Sequence, residues 1–440
     1  MTGPRRQRAE ELFSLAVKAA EPAGALRAAL ARHPLPEPGQ GGRHILIAVG
    51  KAAVPMAEAM LAQLGDAPVK ALVVTNRENI RDLPGATVME AGNPIPDENG
   101  LRAARAVIAA LESARAEDRV IALISGGGSA MLPAPAGALS LTDKAEANRV
   151  FLQRGLDIRE TNLIRQQLSA LKGGGMLRLA DPAPVTAYIL SDVVGDDLAV
   201  VASGPTVAPI GTPEDARSLI AARGLGPLLP DAVRAHLANG PARPANLPAA
   251  RNHLIGSNRQ SLDAAAGAEG DSEIVDDRLT GDVSTAAAQI VAAATKSRGA
   301  PACLIFGGET TVQIRGTGTG GRNQELALRV ALAMPDLRRD WVFLSGGTDG
   351  RDGPTDAAGG LVDAGTALRI RAGGRDPALM LAENDSHAAL KAAGDLLITG
   401  GTGTNVADVQ ILLLGPRAEE PARRRTKRTT KPLHAPSGKV

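Results

Sequence analysis

Apolar residues fall into two alternating patterns along the chain. Short, nearly continuous runs occur at Ile45–Val49, Ala71–Thr75, Val120–Ser125, Val185–Ser191, Ala302–Phe306, Trp341–Ser345 and Val409–Leu414. Runs of this kind predict strands buried on both faces, as in parallel sheets. Helical spacing appears between them. In Glu98–Glu112, Leu101, Ala104, Ile108 and Leu111 form one apolar stripe, and Asp282–Thr295 and Arg322–Ala333 read similarly. This alternation predicts α/β layers joined by right-handed crossovers.

Four of the runs lead into glycine-rich loops, within Ile45–Ala53, Ala122–Ala130, Leu304–Thr311 and Phe343–Pro354. A strand that stops in such a turn exposes backbone N–H groups beside the next helix and favours a bound anion. Ligands of α/β folds gather at the carboxyl ends of strands. The four loops therefore predict a cleft between two domains. The Pro-, Gly- and Ala-rich stretch Ala238–Ala250 reads as a linker. The expected division is a first domain over 1–238, a linker over 239–250, a second domain over 251–415 and a tail over 416–440.

Composition narrows the chemistry. A chain of 440 residues fits two or three domains, and 44% hydrophobic with 22% charged residues is ordinary for a globular protein. Aromatics make up 1%, so the core must be built from Ala, Val, Leu and Ile, and base stacking by many rings is excluded. The formal net charge is +2, and the basic run from Ala422 to Lys431 reads as a solvated, disordered tail rather than a specific nucleic-acid site. The single cysteine, Cys303, excludes an internal disulfide and reads as a small core residue. The six histidines show no ligand spacing, which argues against zinc. No window approaches a membrane span, and the N-terminus lacks a signal-peptide stretch, so the cytoplasm is the expected location.

Several loops carry candidate chemistry. Lys51 follows Gly50 at a strand end, where it reads equally as a cation for phosphate or carboxylate and as a solvated lysine. The P-loop spacing is absent there. Ser125, Gly126, Gly127, Gly128 and Ser129 offer backbone donors or a tight strand-to-helix turn. Asp192, Asp196 and Asp197 suit Mg²⁺, a general base or an acidic helix start. The stretch from Gly316 to Gly321 formally matches G-x-G-x-x-G, but the next strand ends in Ser-Gly-Gly rather than a ribose-binding acid. Arg322 follows it and suits a bidentate grip on an anion. Asp349, Asp352 and Asp356 read as a metal loop or as Asx-turn packing.

Taken in order, the phrases GKAAVPMAEAM, GNPIPDENG, SGGGSAML, SDVVGDDLAVVASGPT, GSN, GGETTV, GTGTGGRNQE, SGGTDGRDGPTDAAGG and TGTNVADVQILLL resemble the class II glycerate kinases, the glycerate 2-kinases that carry a MOFRL region. The resemblance covers about Glu10 to Gly415. It implies two α/β domains with largely parallel sheets, a Rossmann-like N-terminal domain and an active site in the interdomain cleft. It further implies transfer of a phosphoryl group from ATP to the C2 hydroxyl of D-glycerate, with Mg²⁺. Lys51 and Arg322 match the family's cationic positions, and Asp192 is the expected base. Lys172, Asn258, Glu309, Asn323, Glu325 and Asn405 join the Ser125–Ser129 loop as expected ligand contacts, with Asp197 and Asp349 on the metal. Departures include RQQLS at Arg165–Ser169 in place of a basic RKHLS, and His387 in place of a common Tyr. The rival expectation is an NAD(P)H-dependent hydroxypyruvate reductase, and a homodimer is left open.

Overall fold

A computed structural model describes residues 3–239, 246–297 and 302–417. Among these, twelve strands form two six-stranded sheets. The first sheet contains β1 (His44–Val49), β2 (Val69–Thr75), β3 (Ala86–Glu90), β4 (Arg119–Ile124), β5 (Val185–Leu190) and β6 (Ala250–Gly256). The second contains β7 (Ser272–Asp282), β8 (Ala302–Thr311), β9 (Asp340–Gly347), β10 (Gly359–Asp363), β11 (Leu396–Leu397) and β12 (Asp408–Gly415).

The first sheet is parallel throughout, in the order β3-β2-β1-β4-β5-β6. That is the order of doubly wound dinucleotide folds, whose connections diverge between β1 and β4 and open a crevice there. Helices Pro22–Arg32 and Ala53–Leu64 cover one face through Leu26, Met56 and Met60. Helices Glu98–Glu112 and Gly175–Ala180 cover the other through Val107, Leu111 and Leu177. Every residue of β1 and β5 is therefore buried, as their unbroken apolar runs require. A helical group beside this sheet, including Leu141–Gln153 and Ile158–Gln167, packs around Phe151 and Ile164.

The second sheet has the order β11-β10-β9-β12-β8-β7, and only β7 and β8 pair in parallel. Helices Val283–Lys296 and Arg322–Ala333 cover one face. Helices Pro4–Ala19 and Asn258–Gly267 cover the other. Its apolar runs are continuous because both faces are covered. The pattern reports burial and leaves strand direction undetermined, so an expected parallel sheet is here mostly antiparallel.

Sheet pairing also departs from the expected division at 239–250. Strand β6 lies past that boundary yet pairs with β5, and helix Pro4–Ala19, at the other end of the expected first domain, packs on the second sheet. A Pro- and Gly-rich stretch marks exposed backbone and does not say which sheet the next strand joins. Residues 240–245 and 418–440, which include half of the expected linker and most of the expected tail, lie outside the described residues. Cys303 is a buried core residue, and burial pushes its thiol up to about 12. No helix among the described residues is long and apolar enough to cross a membrane.

Phe13 anchors helix Pro4–Ala19. It is 2% exposed, and a Cβ on Gly346 would lie 2.9 Å from its ring. Arg6 adds hydrogen bonds to Leu361 O at 2.6 Å and to Asp395 Oδ1 at 2.8 Å. Phe13→Ala should destabilise the protein by about 3–5 kcal/mol. Urea unfolding checks this, and an unchanged midpoint would remove the helix from the second layer's core.

Candidate active site

The adjacent ends of β1 and β4 build the floor of the site. Gly50 has φ +117°, and a Cβ there would lie 2.3 Å from Ser125 Oγ, so only glycine lets the two loops touch. Ser125 is fully buried. Its hydroxyl accepts a hydrogen bond from Ala52 N at 3.1 Å and donates to Val49 O at 3.2 Å. Ser125 thus sets the loop that carries Lys51, and its own hydroxyl is used up by backbone. Lys51 N donates to Gly126 O at 2.9 Å. Asp192, just past β5, reaches the same point: a Cβ on Gly126 would lie 2.1 Å from its Oδ2. Burial raises the pKa of Asp192, against its own backbone N–H and the attraction of Lys51.

The second sheet supplies the opposite wall. Because β12 runs antiparallel to both β8 and β9, its first residue Asp408 sits opposite Gly308 and Gly347. That register brings Asp408, Glu309 and the Asp349 loop to one edge. Arg322, the first residue of helix Arg322–Ala333, grips Asp408 through Nε at 2.6 Å and Nη2 at 2.9 Å, and reaches Glu309 with Nη1 at 3.1 Å. Burial works against the Arg322 charge, but Asp408 and then Glu309 outweigh it and hold its pKa above the ordinary value. Burial raises the pKa of Glu309, with Arg322 opposing. Asp192 and Lys51 from the first sheet also act on Glu309, so the two groups face each other. A cavity of about 260 Å³ shares Lys51 and the Asp349 loop with these walls and is lined among others by Asn76, Asn93, Gly126, Arg351 and Asn405, while Asp192, Glu309 and Arg322 are not among its lining residues.

A second cavity of about 240 Å³ lies on the other side of the glycine loop and shares Asn93 with the first. Gly127, Ser129, Lys144, Asn148, Arg165 and Lys172 line it. Lys172 donates to Ser129 O at 2.6 Å and to Ser129 Oγ at 2.5 Å. Ser129 Oγ is 2.9 Å from Ser203 Oγ, which donates to Asn162 Oδ1 at 2.6 Å. Ala202 and Ser203 hold left-handed φ values of 48° and 62°, a strained pair under Ser129. Gln166 helps to hold that turn through Ala199 O and Ser203 O, and Gln167 donates to Gly211 O. Neither glutamine lines the second cavity. Burial, then repulsion from Lys144 and Arg165, pushes the Lys172 pKa well down.

The glycines from Gly316 to Gly321 have a different use from the one their spacing suggests. A Cβ on Gly316 would meet Glu383 Cα at 2.4 Å, on Gly318 Asp385 Cβ at 2.5 Å, and on Gly320 Ser386 Oγ at 2.1 Å. The start of helix Arg322–Ala333 is already filled by a carboxylate. Asp352 accepts from Asn323 N at 3.1 Å and from Gln324 N at 2.8 Å. A pyrophosphate would have to displace it.

Other expected ligand residues do not reach either cavity. Asn258 is buried and donates to Val406 O and Asp408 O, both at 2.8 Å, so it fastens β12 instead of a ligand. Asn323 accepts from Ser345 Oγ at 2.6 Å beneath the site. Glu325 is buried, with Arg329 and Asn384 as partners. Asp197 pairs with Arg159 and accepts from Ala199 N at 3.0 Å. Of the two expected metal residues, Asp349 lines the cleft cavity and Asp197 does not. Of the four expected loops, Leu304–Thr311 is strand throughout and Phe343–Pro354 is strand as far as Gly347. Gly307 lies in β8, where a Cβ would strike Asn258 Oδ1 at 2.1 Å, and Gly346 lies in β9 under Phe13. Residues that sequence reasoning passed over include Asn76, Asn93, Arg351, Lys144, Arg165 and Asp408. Asn93 and Asp408 stood inside the quoted phrases GNPIPDENG and TGTNVADVQ.

A domain of unknown function, DUF4147, matches residues 8–238, and the MOFRL family matches residues 302–408. D-glycerate 2-kinase of Thermotoga maritima is 40% identical over 383 residues, which is 84% of this chain and 91% of that protein. A putative hydroxypyruvate reductase of Agrobacterium vitis is 38% identical over 93% of this chain and 94% of that protein. The crystal structure of a glycerate kinase from Thermotoga maritima superposes with a TM-score of 0.85 at 38% identity, covering 93% of this chain and 99% of that one. The chain belongs to the MOFRL-containing family of glycerate 2-kinases.

Proposed function

We propose that this protein transfers the γ-phosphoryl group of ATP to the C2 hydroxyl of D-glycerate, giving 2-phosphoglycerate and ADP. The observation that carries this reading is the meeting of Lys51 and Asp192 with the Glu309–Arg322–Asp408 cluster across one cleft. Phosphoryl transfer depends mainly on positioning and charge stabilisation, and the cleft offers both signs of charge on rigid elements. Asp192 accepts the C2 hydroxyl proton as its oxygen attacks the γ-phosphorus. The new O–P bond forms as the bond to the bridging oxygen of ADP breaks. Lys51 and Arg322 stabilise charge on the transferring group. Arg322 has five N–H donors, and Asp408 and Glu309 orient the guanidinium so that the rest remain for a ligand.

When bound, Mg²⁺ would neutralise charge on the transferring phosphoryl group. Asp349 lines the cleft and has the hard oxygen donors this needs. Product identification by ³¹P NMR with ATP, Mg²⁺ and D-glycerate tests the reaction. A signal from 3-phosphoglycerate, or none, would overturn it. Hydroxypyruvate with NADH or NADPH should give only background oxidation, since the glycine motif's helix start is occupied by Asp352.

Lys51→Ala and Arg322→Ala should each lower kcat by roughly a thousandfold or more. Near-normal turnover in either variant removes that residue from the mechanism. Gly126→Ala forces its new Cβ against the Asp192 carboxylate and should cost about a hundredfold in kcat with unchanged circular dichroism. Asp192→Asn should abolish turnover yet raise the melting temperature at pH 8. The raised pKa of Asp192 means that its ionised form costs folding energy above the ordinary carboxylate range, and this cost vanishes as pH falls through that range. Melting curves of both proteins at pH 8 and near pH 3.5 check the sign: the gain should shrink in acid.

A further inference from the structure

The second cavity poses an electrostatic problem. Lys172 is 4% exposed and Lys144 is 6% exposed, and the half-buried Arg165 lines the same cavity. Among the described residues, neither Lys172 nor Arg165 has a carboxylate partner: the Lys172 ammonium meets the carbonyl and hydroxyl of Ser129, and the Arg165 guanidinium meets the Asn148 side-chain oxygen. Charges taken out of water are expensive unless they are paired. Here three cations converge; Lys144 is bonded to Pro133 O, so the uncompensated charges are those of Lys172 and Arg165, and among the described residues no acidic side chain lines the cavity. The cleft cavity is different, because its lining includes Glu78 and Asp349 as well as Lys51 and Arg351.

We propose that the second cavity is an anion site for the phosphate chain of the nucleoside triphosphate, held by Lys172, Arg165 and Lys144. This rests on the kinase reading and assigns the two cavities: polyphosphate to the purely cationic one, the hydroxy acid to the mixed one. Charge density favours that division. A triphosphate carries several negative charges and matches three cations, whereas glycerate carries one carboxylate and a hydroxyl that needs a base. Asp192 meets the glycine loop at Gly126, next to the cleft cavity, while Gly127 and Ser129 face the other. The Gly126–Gly127 peptide and Asn93 are therefore the shared wall across which the terminal phosphoryl group meets the acceptor hydroxyl. Lys172 also ties down Ser129, so one ammonium group orders the loop and faces the phosphates.

Two variants on separate elements test the assignment, Lys172→Met and Arg165→Gln, each checked for folding by its melting curve. Isothermal titration with inorganic tripolyphosphate measures the site directly, and steady-state kinetics measure KM for ATP and for glycerate. Each variant should weaken tripolyphosphate binding and raise KM for ATP at least tenfold, with KM for glycerate changed less than twofold. If Lys172→Met fails to fold, Arg165→Gln alone carries the same expectation. Unchanged tripolyphosphate binding, or a rise confined to KM for glycerate, overturns the assignment. Tripolyphosphate binding that needs Lys172 in a protein that makes no phosphoglycerate would keep this site and remove the kinase reading.

Discussion

The pairing of Arg322 with Asp408 is the constraint on which the cleft depends. Asp408 is fully buried at the first position of β12, and Arg322 opens the helix that covers the second sheet. Removing one partner of a buried pair leaves an uncompensated charge and costs about 3–5 kcal/mol. The pair therefore fixes where helix Arg322–Ala333 begins relative to the strand edge. Glu309 and the loop that carries Asp349 take their places from the same edge, since β12 lies between β8 and β9. An arginine held so firmly is pre-organised, which is the property that charge stabilisation requires.

The first sheet solves the same problem with backbone. Gly50, Ser125 and Gly126 bring two strand ends into contact without side-chain bulk, and the Ser125 hydroxyl satisfies both loops at once. Lys51 and Asp192 are carried on this frame. One wall of the cleft is therefore fixed by an ion pair and the other by close packing of glycines. The consecutive left-handed residues Ala202 and Ser203, braced by Gln166, show that the second cavity is held against strain as well.

Much of this was legible in the sequence. Strands β1, β4, β5 and β12 carry unbroken apolar runs because both faces are covered; Lys51, Gly126 and Asp192 follow from the motifs at the ends of β1, β4 and β5, and Arg322 from the glycine stretch before its helix. The losses have physical causes. β3, β6 and β7 are part-exposed, and their alternation is too weak to stand out. Glycines look alike in sequence whether they cradle a ligand or let Asn258 or Phe13 approach a strand. Asn258, Asn323 and Glu325 are polar residues inside matching motifs, and only coordinates show that their hydrogen bonds are spent on the protein itself. Direction in the second sheet was invisible because burial on two faces erases the alternation that would mark an antiparallel edge.

Helix Pro4–Ala19 packs on strands that follow it by more than three hundred residues, since β9 begins at Asp340. A ribosome adding about 5–20 residues per second needs roughly twenty seconds to a minute to deliver that surface. Through this interval Leu12 and Phe13 have no native partner on β9 or β12, while the first sheet is complete once β6 has emerged. Synthesis therefore passes through a stage with one finished layer and one waiting helix. The second wall of the cleft closes only when the last strand has been made.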